Sequence, residues 1–337
     1  MERWSMEKAK EWFARTPWQV GVNYVPSGAV NDVEMWMDGT FDPWLIGRET
    51  RLAARAGFNA LRVFLSYTVW EREKELFLRH FEEFLTIAAD AGLRVMPVLF
   101  DDCAFDNGSE AYYGRQPEPV PGVHNSRWVP SPGFSVQDDP EKEPSLREYV
   151  SAVVGAHRED GRILMWDLFN EPGNTDRTDK AVPLLKNAFL WARAESPVQP
   201  LTAAVWSFSP QMEAVEKVCI AESDILSMHA YLPLEETKRR YALLEAEGRP
   251  VFLTEWLHRG VGNTYETHLP FFHEKKLGIF QWGLVIGRTQ TNLSWDTMRG
   301  TPDPEPALWQ HDLLLPDGTA YRETELALIR FFRGMEQ

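Results

Sequence analysis

The sequence predicts an α/β protein, a single-domain (β/α)8 TIM barrel over residues 1–337, and three observations lead to this prediction. Eight short apolar segments alternate with longer amphipathic segments along the whole chain. The short segments are apolar throughout rather than in alternation, which is typical of parallel strands buried on both faces. A chain of 337 residues is a common length for such a barrel. The alternative, an open doubly wound sheet, usually has a glycine-rich turn after its first strand, which Gly21 and Gly28 do not form.

Each element follows from a local pattern, beginning with the apolar run QVGVNY that predicts the first strand. Gly57 and Gly92 end the predicted helices before the second and third strands, because glycine readily ends a helix in the left-handed conformation. The predicted strands are 19–24, 59–65, 93–100, 162–169, 201–206, 224–229, 250–254 and 278–282. The predicted helices are 43–56, 71–91, 144–157, 179–194, 210–217, 234–247, 265–276 and 321–333.

The composition restricts partners and location more than it restricts activity. With 50 acidic and 35 basic residues the net charge is −15, which disfavours nucleic acid and anionic membrane as partners. No apolar run approaches the roughly 18 residues of a membrane span, and the opening MERWSMEKAK lacks the apolar core of a secretory signal. Cys103 and Cys219 are expected to be free thiols. We therefore expect a cytoplasmic protein, with a processed secreted form left open and no indication of oligomeric state.

Two apolar segments, WDLFNEP and VFLTEW, bring a glutamate to the end of a predicted strand, at Glu171 and Glu255. A carboxylate at the end of a buried strand is costly unless it has partners or a function. The carboxyl ends of barrel strands meet on one face, so we expect the two side chains to face each other. Paired carboxylates around one linkage are what glycoside hydrolysis requires. Other polar or aromatic residues in or after predicted strands are Asn23, Arg62, Asn170, His229, Tyr231 and Trp282.

Aromatic residues are abundant, with 14 Trp, 19 Phe and 9 Tyr. Several of the tryptophans fall at strand ends or in loops, where a flat ring face suits the apolar face of a sugar. The candidates for sugar contact in these places, besides the strand-end tryptophan above, are Trp128, Trp206, Trp256 and Trp295.

Structural roles compete with these functional ones. Glu171 could be a charge at a helix start, and Glu255 could form an ion pair with Arg259 or Arg288. Asp101 and Asp102 after the third strand could bind a sugar hydroxyl, hold the following loop or ligate a cation. His, Cys and carboxylate residues do not occur at the spacings of a dedicated metal site, so no metal and no cofactor is expected.

Four short motifs carry a family resemblance: Asn170-Glu171-Pro172, His229-Ala230-Tyr231, Thr254-Glu255 and Trp282. In this order after apolar strands they resemble the retaining glycoside hydrolases of clan A. Family 5 and its relatives, which include cellulases, mannanases and xylan-acting enzymes, are the most similar group. The resemblance implies that Glu171 is the general acid and then the general base, and that Glu255 is the nucleophile.

The same resemblance implies supporting roles. Arg62 supplies positive charge to the nucleophile, and Tyr231 donates a hydrogen bond to it. Asn170 bonds the sugar 2-hydroxyl, His229 orients the acid/base or borders the sugar, and Trp282 forms a platform under the sugar.

The expected function is therefore retaining β-glycoside hydrolysis of an oligo- or polysaccharide by double displacement, without a cofactor. A transglycosidase with the same residues and a catalytically silent carbohydrate-binding barrel are the alternatives.

Two loops, 101–143 after the third strand and 283–318 after the eighth, are too long to be simple connectors. We expect them to enclose the cleft as a short pocket that favours chain ends, while the sugar and the linkage are left open.

Overall fold

Nine parallel strands form one sheet in the computed structural model, which describes residues 2–106 and 110–335. The sheet order is β5-β4-β3-β2-β1-β9-β8-β7-β6. Only Ala203 separates β5 from β6, so these two are halves of one barrel strand and the sheet closes as the predicted eight-stranded barrel. The strands are β1 (Val20–Asn23), β2 (Ala60–Phe64), β3 (Arg94–Val98), β4 (Trp166–Asp167), β5 (Leu201–Thr202), β6 (Ala204–Val205), β7 (Leu226–His229), β8 (Val251–Trp256) and β9 (Gly278–Trp282).

The first and last strands close the barrel by pairing with each other. Val20 to Asn23 of β1 lie opposite Ile279 to Trp282 of β9. At Gly21 a Cβ atom would lie 2.3 Å from the ring of Phe280, so this close approach requires glycine. The opposite edge of β1 pairs with β2.

The helices surround this barrel and begin and end with the expected signals in several places. Asp42 caps the helix Pro43–Ala56 by accepting a hydrogen bond from the Leu45 amide, and Gly57 ends it with a φ of +107°. The helices are α1 (Met6–Arg15), α2 (Asp32–Trp36), α3 (Pro43–Ala56), α4 (Tyr67–Arg72), α5 (Lys74–Asp90), α6 (Phe134–Gln137), α7 (Glu143–Ala156), α8 (Val182–Ala194), α9 (Glu213–Glu222), α10 (Leu234–Glu245), α11 (Tyr265–Glu274) and α12 (Glu323–Phe332).

Three predicted elements differ from the observed ones. The predicted helix 71–91 is two helices, because Glu73 between α4 and α5 has a non-helical backbone with φ −140° and ψ 59°. The predicted strand 162–169 has only two residues in regular pairing, with an isolated bridge between Val95 and Ile163 before them. The predicted helix 210–217 begins as a 3-10 turn and becomes α9.

Helix α1, which the sequence pattern did not predict, packs under the barrel. Trp12 and Phe13 contact Phe252 at ring-centroid distances of 6.2 and 6.0 Å. Ala9 joins a buried apolar cluster with Ala60 and other residues near the strand starts. This end of the barrel is therefore apolar, and the polar interior lies toward the carboxyl ends of the strands.

The two long loops are joined to each other above those carboxyl ends. Backbone amides of the first loop donate to the second: His124 to Thr297 Oγ1 at 2.9 Å and Asn125 to the Thr289 carbonyl at 2.7 Å. Residues 107–109 of the first loop lie outside the described residues. None of the helices in the described part of the chain has the length and apolar character that a bilayer crossing requires.

Candidate active site

A cavity of about 360 Å³ opens where the barrel strands end and the two long loops meet. It has the size and the mixed polar and aromatic lining of a small-molecule site. Nine of the twelve residues selected from the sequence line it: Asn170, Glu171, His229, Tyr231, Glu255, Trp128, Trp206, Trp282 and Trp295.

Glu171 follows β4 in a tight turn and has a positive φ of 40°. Its Oε1 lies 2.8 Å from His229 Nδ1, and its Oε2 accepts from Asn174 Nδ2 and, at 3.3 Å, from Cys103 Sγ. Burial raises the pKa of Glu171, and the hydrogen bonds from Cys103 and Asn174 oppose that rise only in part. A carboxyl in this environment is suited to hold a proton.

Glu255 lies within β8 and has a different set of partners. Its Oε1 accepts from Arg62 Nη1 at 2.8 Å, and its Oε2 accepts from the Tyr231 hydroxyl at 2.7 Å. Burial raises the pKa of Glu255 and the nearby Glu171 raises it further, while Arg62 and Tyr231 oppose that rise only in part. Direct contact with a guanidinium distinguishes Glu255 from Glu171 and favours its ionised form.

The two carboxyl groups are close to each other. One oxygen of Glu171, one oxygen of Glu255 and a ring nitrogen of His229 all lie within 4.8 Å of one another. Carboxyl groups about 5–5.5 Å apart are typical of retaining glycosidases, and about 6.5–9.5 Å of inverting ones. The nearest oxygens of the two groups are closer than the spacing typical of inverting enzymes.

Arg62 is fully buried and joins the barrel interior to the site. Its Nε and Nη2 donate to Asp167 Oδ2 at 2.9 and 2.7 Å, and Nη2 also donates to Asn170 Oδ1 at 2.6 Å. Asn23 accepts from Arg62 Nη1 at 2.7 Å and donates to the Thr254 carbonyl at 2.8 Å. Arg62 and Asn23 therefore support the site from below and do not line the cavity.

The ion pairs considered from the sequence are not formed by Glu255. Arg259 pairs with Glu325, and Arg288 pairs with Glu34 and Glu118. Glu255 is instead paired with Arg62.

Asp101 and Asp102 hold loops around the site, which is one of the three roles left open for them. Asp101 accepts from Asn170 Nδ2 at 2.8 Å and from Trp128 Nε1 at 2.6 Å. Asp102 accepts from the Gly173 amide and from a side chain of α6, both at 2.7 Å. Burial raises the pKa of Asp101 to about 6 and that of Asp102 to about 7.

His229 lies between the two carboxylates. Its Nδ1 lies 2.8 Å from Glu171 Oε1 and 3.5 Å from Glu255 Oε2. Burial lowers the pKa of His229 to about 4, so the ring is neutral near pH 7. A neutral ring either donates through Nδ1 to an ionised Glu171 or accepts from a protonated one, so His229 can orient this carboxyl in both of its states.

Aromatic rings form much of the wall. Trp282 packs edge-on against Trp128 and Phe64, at centroid distances of 6.0 and 5.5 Å. Trp295 lies 4.9 Å from Tyr231 between centroids, and Trp206 donates its indole N–H to the Pro172 carbonyl.

Trp256, predicted to contact a sugar, does not reach the cavity. It is fully buried against Tyr265 and Phe272 of α11, at centroid distances of 4.8 and 4.9 Å. Side chains alternate between the two faces of a strand, so the residue after Glu255 faces the helices outside the barrel. The prediction that Trp256 contacts a sugar was wrong for this reason.

Several residues of the site were missed from the sequence. Asp167 had a usable signal, because it is an acidic residue inside an apolar strand at the same parity as Glu171. The others lie in loops, whose paths the sequence pattern does not determine, except for Arg240 in α10. They are Cys103, His124, Asn125, Asn174, Arg240 and His311.

Among the residues that the structure describes, two groups of side chains have ligand atoms close enough together to hold a metal ion: Glu82, His157 and Asp160, and the Glu171, His229 and Glu255 group. In the first group the guanidinium of Arg162 donates to both carboxylates and already supplies a positive charge there. In the second group Arg62 supplies positive charge to Glu255. The absence of a metal stays a prediction from the sequence.

No protein-family model and no curated protein sequence matches the chain. Solved structures do match its fold. One is GH5_18 from Streptomyces cattleya in complex with Manβ1-4GlcNAc, with 17% identity, a TM-score of 0.63, and coverage of 96% of this chain and 81% of that chain. An exo-β-1,4-mannosidase of an Opitutaceae bacterium matches with 16% identity and a TM-score of 0.62, over 94% of this chain and 59% of that chain.

An endo-1,4-β-D-mannanase of Thermotoga petrophila matches with 13% identity and a TM-score of 0.59, over 94% of this chain and 99% of that chain. At these identities the likeness concerns the fold. The chain has the (β/α)8 barrel fold that these glycosidases share, as the alternation of apolar and amphipathic segments had predicted.

Proposed function

We propose that the chain is a retaining β-glycoside hydrolase in which Glu171 is the acid/base and Glu255 is the nucleophile. The observation that carries the proposal is the placement of the two carboxyl groups, with oxygens within 4.8 Å, in two different electrostatic environments. Glu171 has a thiol and an amide as donors, whereas Glu255 has a guanidinium and a phenol. Such a division of environments is how two carboxyl groups acquire different roles.

In the first step Glu255 attacks the anomeric carbon as the bond to the leaving oxygen breaks. Glu171 transfers its proton to that oxygen, and an ester joins the sugar to Glu255. In the second step Glu171 accepts a proton from water, and the water oxygen attacks the anomeric carbon. The ester bond breaks, Glu255 becomes ionised again, and the sugar leaves with its β configuration retained.

The substrate that we propose is a short β-mannoside or a terminal mannosyl group. The joined loops leave a pocket of about 360 Å³ rather than a long groove, which favours chain ends. Structures of similar fold carry names that refer to Manβ1-4GlcNAc, an exo-β-1,4-mannosidase and a mannanase. A panel of defined oligosaccharides, read by product mass, tests this choice of sugar. Rapid random shortening of a polymer would contradict action at chain ends.

The roles of the two glutamates are tested with Glu255→Gln, Glu255→Ala and Glu171→Ala. We expect Glu255→Gln to lose turnover by at least about 10³-fold while it still binds the sugar, because the nucleophile is removed. Glu171→Ala should retain activity on aryl glycosides with good leaving groups, and azide should restore turnover as a β-glycosyl azide. At Glu255→Ala azide should instead give the α product, and the opposite assignment of products would exchange the roles.

The two alternatives have distinct outcomes in the same assays. A transglycosidase would give mainly coupled products when an acceptor sugar is present at high concentration. A binding barrel would bind oligosaccharides without turnover of any aryl glycoside. Either result would replace the hydrolase proposal.

A further inference from the structure

We propose that Arg240 binds an anionic group, a carboxylate or a phosphate ester, on the leaving sugar of the substrate. The leaving sugar is the one that departs with the oxygen that Glu171 protonates. The enzyme would then act on oligosaccharides in which this sugar is a uronic acid or a sugar phosphate. This inference rests on the proposed glycosidase function and adds to it the chemical class of the leaving group.

Arg240 of α10 is, among the residues that the structure describes, the one member of the cavity lining with a permanent positive charge. The other basic residues of the lining are three histidines. Burial lowers the pKa of His124 and of His229 to about 4, and it lowers that of His311 well below its ordinary value. These rings are neutral near pH 7, so an anion that enters the cavity meets a single cation there.

Part of the Arg240 guanidinium is free to bind a ligand. Its Nη1 donates to the Trp206 carbonyl at 3.2 Å. Its Nε is fully buried without a partner, whereas Nη2 makes no hydrogen bond within the described part of the chain and retains accessible surface. The side chain as a whole is 20% exposed. Because the residue lines the cavity, Nη2 is a donor that a bound molecule can contact.

Nearby acidic residues compensate the charge of Arg240 only in part. Oε1 of Glu236, one helical turn earlier, lies 3.9 Å from Nε, which is too far for a hydrogen bond, and this carboxylate accepts from Arg239. Glu216 accepts instead from two backbone amides at 2.9 and 2.7 Å. Burial lowers the pKa of Arg240, and Glu236 and Glu216 do not cancel this effect. A partly buried charge without a close partner favours a ligand of opposite charge.

Three arginines of comparable exposure differ from Arg240 in this respect. The side chains of Arg127, Arg162 and Arg288 are 23%, 27% and 30% exposed, and each donates to a carboxylate at 3.1 Å or less. Each of these charges is therefore paired within the chain, whereas that of Arg240 is left for a molecule in the cavity.

The position of Arg240 relative to Glu171 indicates which part of the substrate it contacts. The carbonyl of Pro172, the residue after Glu171, accepts from Trp206 Nε1 at 3.1 Å, and the Trp206 carbonyl accepts from Arg240. In the proposed mechanism Glu171 protonates the leaving oxygen, so the leaving sugar binds beside Glu171. Arg240 therefore lies on the side of the cavity that receives this sugar.

The donor chemistry favours an anion over a hydroxyl group. A guanidinium and an anionic oxygen form a charge-assisted hydrogen bond, which is shorter and stronger than a bond between neutral groups. Sugars carry negative charge near pH 7 as the carboxylate of a uronic acid or as a phosphate ester. The net charge of −15 disfavours anions at long range, so their selection would depend on this one side chain.

Three disaccharides that share one β-glycosyl group and one linkage test the proposal, with glucose, glucuronic acid or glucose 6-phosphate as the leaving sugar. The shared group is the one that the oligosaccharide panel selects. We expect wild-type kcat/KM to be at least about 10-fold higher for one of the two anionic disaccharides than for the neutral one. The disaccharide that is preferred distinguishes a carboxylate from a phosphate.

Substitutions of Arg240 assign the preference to its charge. Arg240→Gln keeps hydrogen-bond donors but has no charge, so its kcat/KM for anionic and neutral disaccharides should differ by less than about 3-fold. Arg240→Lys keeps the charge and should retain part of the preference. Equal kcat/KM of the wild type for all three disaccharides overturns the inference, whether or not the variants fold.

Lys238→Gln is the matched control, because it also removes one positive charge from α10. Lys238 pairs with Glu235 at 2.8 Å and does not line the cavity. We expect it to keep the preference for the anionic disaccharide, and the melting temperatures of all variants show that they are folded. An equal loss of preference in Lys238→Gln and Arg240→Gln would show an effect of net charge and contradict a contact with Arg240.

Failure of the proposed function is a different result. If the wild type hydrolyses none of the disaccharides, their Kd values for the Glu255→Gln chain take the place of kcat/KM. Binding that is at least about 10-fold tighter for an anionic disaccharide, and that loses this preference when Arg240→Gln is added, supports the role of Arg240 and contradicts hydrolysis alone. Binding without a preference overturns the role of Arg240, and absence of both turnover and binding overturns both proposals.

Discussion

Arg62 forms ion pairs with two buried carboxyl groups through a single guanidinium, and this makes it the central residue of the site. It is paired with Asp167 at 2.7 Å and with Glu255 at 2.8 Å. A planar guanidinium offers five donors in a fixed geometry, and Arg62 uses them on four side chains. A lysine ammonium group has the same charge but no fixed planar arrangement of donors, so it could not hold these four side chains in the same relative positions.

Arg62→Lys tests that requirement. We expect kcat to fall by at least about 10²-fold, because the Glu255 carboxylate loses an oriented charge-assisted donor. We expect Arg62→Ala to lower the free energy of unfolding by about 3–5 kcal/mol, since both buried carboxylates are left unpaired. Urea unfolding and steady-state kinetics measure the two effects. The half-exposed ion pair of Arg288 is the comparison, and an equal loss in Arg288→Lys would contradict the special role of Arg62.

We expect the thiol of Cys103 to affect how kcat/KM depends on pH. Its hydrogen bond lowers the pKa of Glu171, so Cys103→Ala should raise that pKa. In the proposed mechanism Glu171 must be protonated, and the alkaline limb of the kcat/KM profile should therefore move to higher pH. Cys103→Ser keeps a donor and should show a smaller shift. Cys219→Ala, a buried cysteine in α9 away from the site, should leave the profile unchanged.

At this scale the sequence indicated the two glutamates because each follows an apolar run at a strand end. It did not indicate Cys103 or Asn125, because their positions depend on the path of a loop whose local pattern is compatible with many conformations. Trp256 shows the opposite error: the residue type suits a sugar, but the alternation of the strand turns it toward the core.

At the scale of elements, the turn after β4 is held in place by the end of β3. The side chain of Asp102 accepts from the Gly173 amide, and its carbonyl accepts from Thr175 Oγ1 at 2.8 Å. Glu171, with its positive φ, lies within this turn. Glu171, the proposed acid/base, is therefore positioned by the segment after the neighbouring strand β3 as well as by its own strand.

Asp102→Ala should loosen this turn and misplace Glu171. We expect kcat to fall about 10- to 100-fold with a small change in KM, since displacement of a reacting group affects the chemical step more than binding. Asp139→Ala, at a 3-10 turn outside the cavity, is the control for loss of a capping carboxylate. Equal kinetics for Asp102→Ala and wild type would show that the turn holds its shape without this contact.

The order of the barrel strands and of the long helices between them was predictable because each has its own apolar pattern, whereas α1, α2 and α6 were missed. The break at Glu73 was not, because a single residue with a non-helical ψ interrupts a continuous amphipathic pattern. The short β4 was overestimated for a related reason: apolar residues from 162 onward are buried, but regular pairing is confined to Trp166 and Asp167.

At the scale of the whole molecule, a buried carboxyl group with a raised pKa should make the free energy of unfolding depend on pH. Burial raises the pKa of Asp312 from 3.8 to about 7, with a hydrogen bond from Thr291 as the main opposing effect. The folded state thus binds this proton more tightly than the unfolded state does. The stabilisation is complete below about pH 4 and is lost as the pH rises to about 7.

Asp312→Asn removes this titration while it keeps the shape of the side chain. We expect the stability of the variant relative to wild type to increase between pH 5 and pH 8, in urea unfolding measured at several pH values. The control Asp317→Asn changes an exposed carboxylate of the same loop and should show no such trend. A constant difference between Asp312→Asn and wild type over this range would refute the proposed titration.

The seam between β1 and β9 has a consequence for biosynthesis. Val20 cannot pair with Ile279 until the chain has been synthesised through residue 279 and has left the ribosome. Until then the edge of the first strand remains unpaired, and such an edge is prone to join the strands of other chains. Asn23 likewise has to wait for the Thr254 carbonyl that it bonds. Nascent chains that stall before residue 278 would therefore be expected to need a chaperone and to lack a formed sugar pocket.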